Sequence, residues 1–285
     1  LLPLSIFDLP NLSVLYLHHN QLVGPLPNHV SGLNLLICLS LSSNFLNGTL
    51  PSWLFCLTSL ENLHLDHNQF IGEIGEFKCN NSLEHLDLSY NMLQGSIPST
   101  ISRLVNLTYL YLSSNNLSIM LDLELLSNLN NLNVLDFSYN NILVSINNNL
   151  TFTLPNLEEL YLSSCNISEF PIFLRTATNL LNLDLSNNRI HGQTPKWLGA
   201  LVKVNFLPCF RGGFGAFLWI YRGGYRGKDS GENKGFAFVT FRSAELAPKA
   251  IDELNNTEFK IDEQLASEEF IMSLKKKSSK KWQEK

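Results

Sequence analysis

A leucine motif returning in register every 23 to 25 residues constrains this chain more than any other feature. Leu12-x-x-Leu15-x-Leu17-x-x-Asn20-x-Leu22 sets the pattern, which restarts at Leu36, Leu60, Leu83, Leu107, Leu132, Leu157 and Leu180. The last two leucines of each triplet are two residues apart, so they share one face of a strand. One strand cannot bury that face alone. Stacked copies bury the leucines in a continuous core, and their strands form a parallel sheet lining a curved inner surface. The asparagine column (Asn20, Asn44, Asn68, Asn91, Asn115, Asn140, then Cys165, then Asn188) falls where the chain must turn. A buried amide there can bond backbone groups that the turn leaves unpaired. Cys165 reads as a small structural substitute and not as a reactive thiol.

Gly24-Pro25-Leu26-Pro27, Gly48-Thr49-Leu50-Pro51, Gly95-Ser96-Ile97-Pro98 and Gly192-Gln193-Thr194-Pro195 close several copies in a Leu-x-Gly-x-Ile-Pro style. This resembles the plant-specific class of extracellular leucine-rich repeats. The stretches Cys165–Pro171 and Leu183–Gly192 are similar to plant receptor-like proteins of the plasma membrane. The resemblance covers about two thirds of the chain. It implies ligand sensing at the cell surface in defence or development, and reliance on a co-receptor kinase. Seven glycosylation sequons within residues 1–198, at Asn11, Asn47, Asn80, Asn106, Asn116, Asn149 and Asn166, fit a secreted glycoprotein ancestry.

Charge divides the chain. Residues 1–198 hold 5 Lys+Arg against 14 Asp+Glu and all seven histidines, whereas residues 199–285 hold 15 against 11. Such a change of sign marks two segments with different partners. Cys38, Cys56, Cys79, Cys165 and Cys209 are widely spaced with no CxxC, so neither a zinc ribbon nor a disulfide framework is argued. The chain begins Leu1-Leu2-Pro3 without Met or a basic leader, and it has no run of 18 apolar residues. It therefore reads as starting mid-protein, with neither signal peptide nor membrane span. Residues 1–11 read as the tail of an earlier repeat.

The side chains between the core leucines point outward onto the inner surface. The central column is Tyr16, Ser40, His64, Asp87, Tyr111, Asp136, Tyr161 and Asp184. The column after the last core leucine is His18, Ser42, Asp66, Ser89, Ser113, Ser138, Ser163 and Ser186. From these, Tyr16, His18, His64, Asp66, Asp87, Tyr111, Asp136, Tyr161 and Asp184 are the candidate ligand-binding set. Tyrosine supplies contact area with few rotors, and carboxylates supply charge-assisted bonds, which suits a polar or basic peptide. His64, Asp66, His85 and Asp87 invite a metal reading, with His64 and Asp87 lateral neighbours roughly 5 Å apart. Three converging ligands are not evident from the spacing, so no metal and no cofactor is expected. An open sheet excludes little water, so no enzyme is expected either.

After Trp197 the register stops. Residues 199–227 form a Gly-, Arg- and aromatic-rich junction whose Arg211–Phe214 and Arg222–Gly227 stretches resemble RGG boxes. Lys234-Gly235-Phe236-Ala237-Phe238-Val239-Thr240-Phe241 then matches all eight positions of the first aromatic signature of RNA recognition motifs. Phe236 and Phe238 share a strand face suited to stacking on bases, and Lys234 suits a phosphate. Ser243, Ala247, Ala250, Ile251 and Leu254 predict the motif's second helix. Residues 228–260 resemble a plant heterogeneous nuclear ribonucleoprotein of the Q/R type, lacking the first strand, first helix and second aromatic signature. Residues 261–285 read as a charged, disordered tail.

The expected fold class is α/β: a leucine-rich-repeat solenoid of about eight repeats over residues 1–198, then a partial strand–helix fragment of an RNA recognition motif. The expected function is non-enzymatic binding of a peptide or protein at the cell surface. The alternatives are single-stranded RNA binding through Lys234, Phe236 and Phe238, with a nuclear or cytoplasmic location, or a fused gene product with neither activity intact.

Overall fold

The computed structural model describes residues 2–79, 82–120, 126–143 and 153–191, together with strands at 206–207, 216–226 and 233–241. Each leucine triplet that was read as a strand is one. β1 (Val14–Tyr16), β3 (Cys38–Ser40), β5 (Asn62–His64), β7 (His85–Asp87), β9 (Tyr109–Tyr111), β11 (Val134–Asp136), β13 (Glu159–Tyr161) and β14 (Asn182–Asp184) lie side by side, all parallel. Eight strands enclose seven turns of the solenoid. The register is uniform: Leu15, Leu39, Leu63, Leu86, Leu110, Leu135, Leu160 and Leu183 stand opposite one another in turn. From Leu39 onward this column is essentially water-free, and only Leu15 at the open edge shows slight exposure.

The described residues hold no α-helix, which corrects the α/β expectation for the solenoid. The connections use short 3-10 helices instead, at Leu4–Asp8, Ser52–Cys56, Ser99–Arg103 and Ile172–Thr176. Pro3, Pro51, Pro98 and Pro171 immediately precede them in extended conformation. Proline cannot donate to the preceding strand and presets the backbone for a tight turn, so the repeat closes within a few residues. A second sheet was also not foreseen. β2 (Val23–Pro25), β4 (Phe45–Thr49), β6 (Gln69–Gly72), β8 (Met92–Gly95), β10 (Asn116–Met120) and β12 (Asn141–Leu143) form a parallel ladder of their own. The glycine of the Leu-x-Gly ending sits in it with positive φ, as at Gly48 (φ +76°), where a Cβ would come within 3.0 Å of Pro25 Cβ. A side chain there would meet both strain and a neighbouring coil.

The asparagine column works as a ladder between coils. Asn91 Nδ2 donates to the carbonyls of Leu65, Leu88 and Ser89 at 3.0–3.2 Å, while its Oδ1 accepts the Phe70 N–H at 3.0 Å. Asn44, Asn68 and Asn140 repeat this arrangement. The residue before each column position has a positive φ between 51° and 57°: His19, Ser43, His67, Tyr90, Ser114, Tyr139, Ser164 and Asn187. None is glycine. A left-handed non-glycine residue costs about 1 kcal/mol or more, and the amide bonds of the next residue hold the turn in place. Cys165 Sγ takes the amide's place, donating to the Phe137 and Ser163 carbonyls at 3.3 Å.

Cys56 and Cys79 form a disulfide that spacing alone did not suggest. They lie 23 residues apart in sequence, about one repeat, so adjacent coils bring them together. Cys38 and Cys165 are free and buried. In the C-terminal part, β15 (Phe206–Leu207), β16 (Ala216–Arg226) and β17 (Asn233–Phe241) pair in sequence order, the last two antiparallel. β16 lies within the Gly-, Arg- and aromatic-rich junction. β17 carries the Lys234–Phe241 octapeptide. The expected second helix, the tail, Cys209, Asn80 and Asn149 lie outside the described residues.

Candidate functional site

In the three-residue strands β1, β3, β5, β7, β9, β11, β13 and β14 the middle residue, a leucine, faces the core, and the first and third face the concave surface. The central column stands where the sequence placed it. Tyr16 is 61% exposed at the edge, and His64, Asp87, Tyr111, Asp136, Tyr161 and Asp184 are half-buried by their neighbours. None of these side chains enters the leucine core.

Parallel pairing sets five of them in one row. Asp87 stands opposite Tyr111, Tyr111 opposite Asp136, Asp136 opposite Tyr161, and Tyr161 opposite Asp184. The row alternates carboxylate and phenol at the lateral strand spacing of roughly 4.8 Å. Each Asp is held the same way. The N–H of the residue two positions on donates to one carboxylate oxygen: Ser89 to Asp87 at 3.0 Å, Ser138 to Asp136 at 2.9 Å, Ser186 to Asp184 at 2.8 Å. This local turn bond fixes the side chain through Oδ1 and leaves the second oxygen without a described hydrogen-bond partner. Tyr161 donates to Glu159 Oε2 at 2.6 Å. Partial burial and the neighbouring carboxylates raise the phenols of Tyr111 and Tyr161, so both stay neutral donors at ordinary pH.

A third outward column was overlooked. The first residue of each strand, two before the central one, shares its face; here it supplies His85, Tyr109 and Glu159. The period-two rule applied one step earlier would have found them. His85 packs on Tyr109 with ring centroids 4.3 Å apart, and Tyr109 stacks on Tyr111. Burial depresses both His64 and His85; the like charge of His18 adds to it at His64, and that of His64 adds to it at His85.

The structure brings together three of the four residues of the metal reading. One ligand atom each from His64, Asp66 and Asp87 lies within 4.8 Å of the others. Asp87 neighbours His64 across the β5–β7 pair, and Asp66 follows His64 on the same face. Burial pushes the Asp87 carboxyl up to about 6, opposed by the Ser89 bonds and reinforced by the Asp66 charge. Among the described residues no lysine or arginine pairs with these carboxylates; the ion pair present is His67 Nδ1 to Asp66 Oδ2 at 3.0 Å. At the array's start, His18 lies within 3.4 Å of Ser40 Oγ and forms an edge contact with Tyr16, apart from the Asp–Tyr row. Among the sequons, Asn11, Asn47, Asn106, Asn116 and Asn166 are exposed. No helix of the described residues is long and apolar enough to cross a membrane.

The sequence matches the family model described as leucine rich repeat at residues 10–70 and 74–117. A second leucine rich repeat model matches 106–129, 156–176 and 179–201. The RNA recognition motif model matches 225–263. Receptor-like protein 49 of Arabidopsis thaliana is 50% identical over 58 residues, covering 20% of this chain and 7% of that protein. Receptor-like protein 32 of the same plant is 48% identical over 59 residues, covering 21% and 7%. Among solved structures, the plant peptide hormone receptor RGFR1 in complex with RGF2 aligns with a TM-score of 0.67 at 34% identity, over 74% of this chain and 34% of that one. The Arabidopsis receptor kinase HAESA, in complex with the peptide hormone IDA and the co-receptor SERK1, aligns with a TM-score of 0.64 at 31% identity, over 71% and 34%. The chain thus spans about a third of these solved chains and under a tenth of the two receptor-like proteins. On these matches and the parallel coils beneath them, residues 10–201 are a leucine-rich-repeat segment resembling plant receptor-like proteins, followed by an RNA recognition motif match.

Proposed function

We propose that the repeat segment is a non-catalytic recognition surface for an extended, basic peptide lying across the Asp87–Tyr111–Asp136–Tyr161–Asp184 row. The alternating row carries the reading. It spans roughly 19 Å, the length of about six extended residues. Its carboxylates recur every ~9.6 Å, close to the ~9.3 Å between every third residue of a polyproline II helix, where those residues also share a side. A peptide in that form with Lys or Arg at every third position would meet three carboxylates in register, with its remaining side chains between tyrosine rings. The solved ectodomains similar to this one hold peptide hormones, and one also holds a co-receptor, which supports a peptide ligand and a co-receptor kinase at the cell surface. The test is fluorescence anisotropy with the full chain and a labelled proline-rich nonapeptide bearing Lys at every third position. D136N, at the centre of the row, is expected to weaken binding by roughly tenfold. Binding that is unchanged in D136N, or no better than for a peptide with the same residues shuffled, refutes the reading.

A second reading is single-stranded RNA binding through Lys234, Phe236 and Phe238, favoured by the family match over 225–263. Filter binding to single-stranded RNA at low salt tests it, with F236A/F238A expected to abolish retention. Absence of retention by the unmodified chain refutes it.

A further inference from the structure

We propose that His64, Asp66 and Asp87 form a three-ligand site for a divalent transition-metal ion, zinc foremost, on the concave face. The site needs no peptide, and it shares only Asp87 with the row proposed to bind one.

Three atoms mutually within 4.8 Å leave a point no more than about 2.8 Å from all of them, against roughly 2.0–2.2 Å for zinc to imidazole nitrogen or carboxylate oxygen. Small side-chain rotations close the difference. The donor set, one imidazole and two carboxylates, suits zinc and its first-row neighbours better than calcium, which takes six or more oxygens. The ligands are already oriented from behind. Ser89 N–H and Oγ hold Asp87 Oδ1 at 3.0 and 2.6 Å, leaving Oδ2 without a described partner. Ser42 Oγ donates to Asp66 Oδ1. His67 Nδ1 reaches Asp66 Oδ2, and its ring is fixed by stacking on Tyr90 with centroids 4.2 Å apart. Supporting bonds of this kind orient metal ligands and raise their affinity. Two facing carboxylates are thus held together with no lysine or arginine among the described residues to neutralise them, an arrangement that a divalent ion would relieve. Coordination positions toward the open sheet stay available for water or for an incoming carboxylate or carbonyl.

The experiment is calorimetric titration of zinc chloride into the tag-free, chelator-treated full chain near neutral pH. One saturating equivalent is expected. H64A and D87N should each weaken it more than about tenfold. H29A, which removes an exposed histidine elsewhere, should leave it unchanged. Absence of saturable binding overturns the proposal, as does undiminished binding in H64A and D87N. If those variants lose their native circular dichroism, zinc K-edge absorption on the unmodified chain decides. One imidazole with oxygen ligands supports the site; two or more imidazoles place the ion at other histidines and overturn it.

Discussion

Asn91→Ala should destabilise the array by about 2–4 kcal/mol, and the structure says which part of the amide matters. Its Nδ2 bonds are shared. Leu65 O keeps the amide of Asn68, Leu88 O keeps that of Asn115, and Ser89 O keeps the N–H of His67. These carbonyls lose one of two donors, a modest cost. The Phe70 N–H is different, because its acceptor is Asn91 Oδ1 in a buried setting. An orphaned buried donor costs roughly 1–3 kcal/mol, and the lost donor bonds together with the small void add about 1 more. Asn20 supplies the internal control. It is exposed, donates only to Leu17 and His18 carbonyls, and Leu17 O keeps the amide of Asn44. Asn20→Ala should therefore cost well under about 1 kcal/mol. Urea unfolding followed by circular dichroism compares the two. Nearest-neighbour coupling in a solenoid broadens the transition without changing the order of the two midpoints. Equal losses would refute the argument that the accepting oxygen, not the column residue as such, makes the ladder.

Two further outcomes follow from the cysteines. Reducing Cys56–Cys79, or replacing both with Ser, should lower stability by about 3 kcal/mol through the loop it closes, read as a fall in the urea midpoint; an unchanged midpoint would show that the coils hold that loop unaided. Cys165 is buried and its thiol is pushed up to about 12 by desolvation, above its ordinary 9.0. The folded state therefore disfavours thiolate, so this group's contribution is intact below about pH 9 and is lost as pH rises toward 12. Iodoacetamide at pH ~8 should label Cys165 only as fast as the chain unfolds. Rapid labelling without unfolding, seen by peptide mass mapping, would contradict the burial.

The strands were legible because leucine alternation survives in every copy, so Leu39, Leu63 and Leu86 could be placed inward and Tyr16, His64 and Asp87 outward without coordinates. The first outward column, two residues before the central one, is legible by the same alternation, and it holds Tyr109 and Glu159. The second sheet was not. Its strands, such as Val23–Pro25, are three to five residues long and four of the six carry glycine, so no local pattern marks them. They exist because the coil before and the coil after present backbone partners at strand spacing.

The repeat period, read from sequence alone, was enough to specify parallel coils, a leucine core and an acidic, tyrosine-bearing inner face, since each follows from side-chain direction along a strand. Whether residues some 23 apart meet was decided only by tertiary structure. The Cys56–Cys79 bond, the Asp87–Tyr111–Asp136 row and the convergence of His64, Asp66 and Asp87 all depend on the lateral register between neighbouring coils. That register is set by packing across the core and by the asparagine ladder, interactions that no single repeat contains.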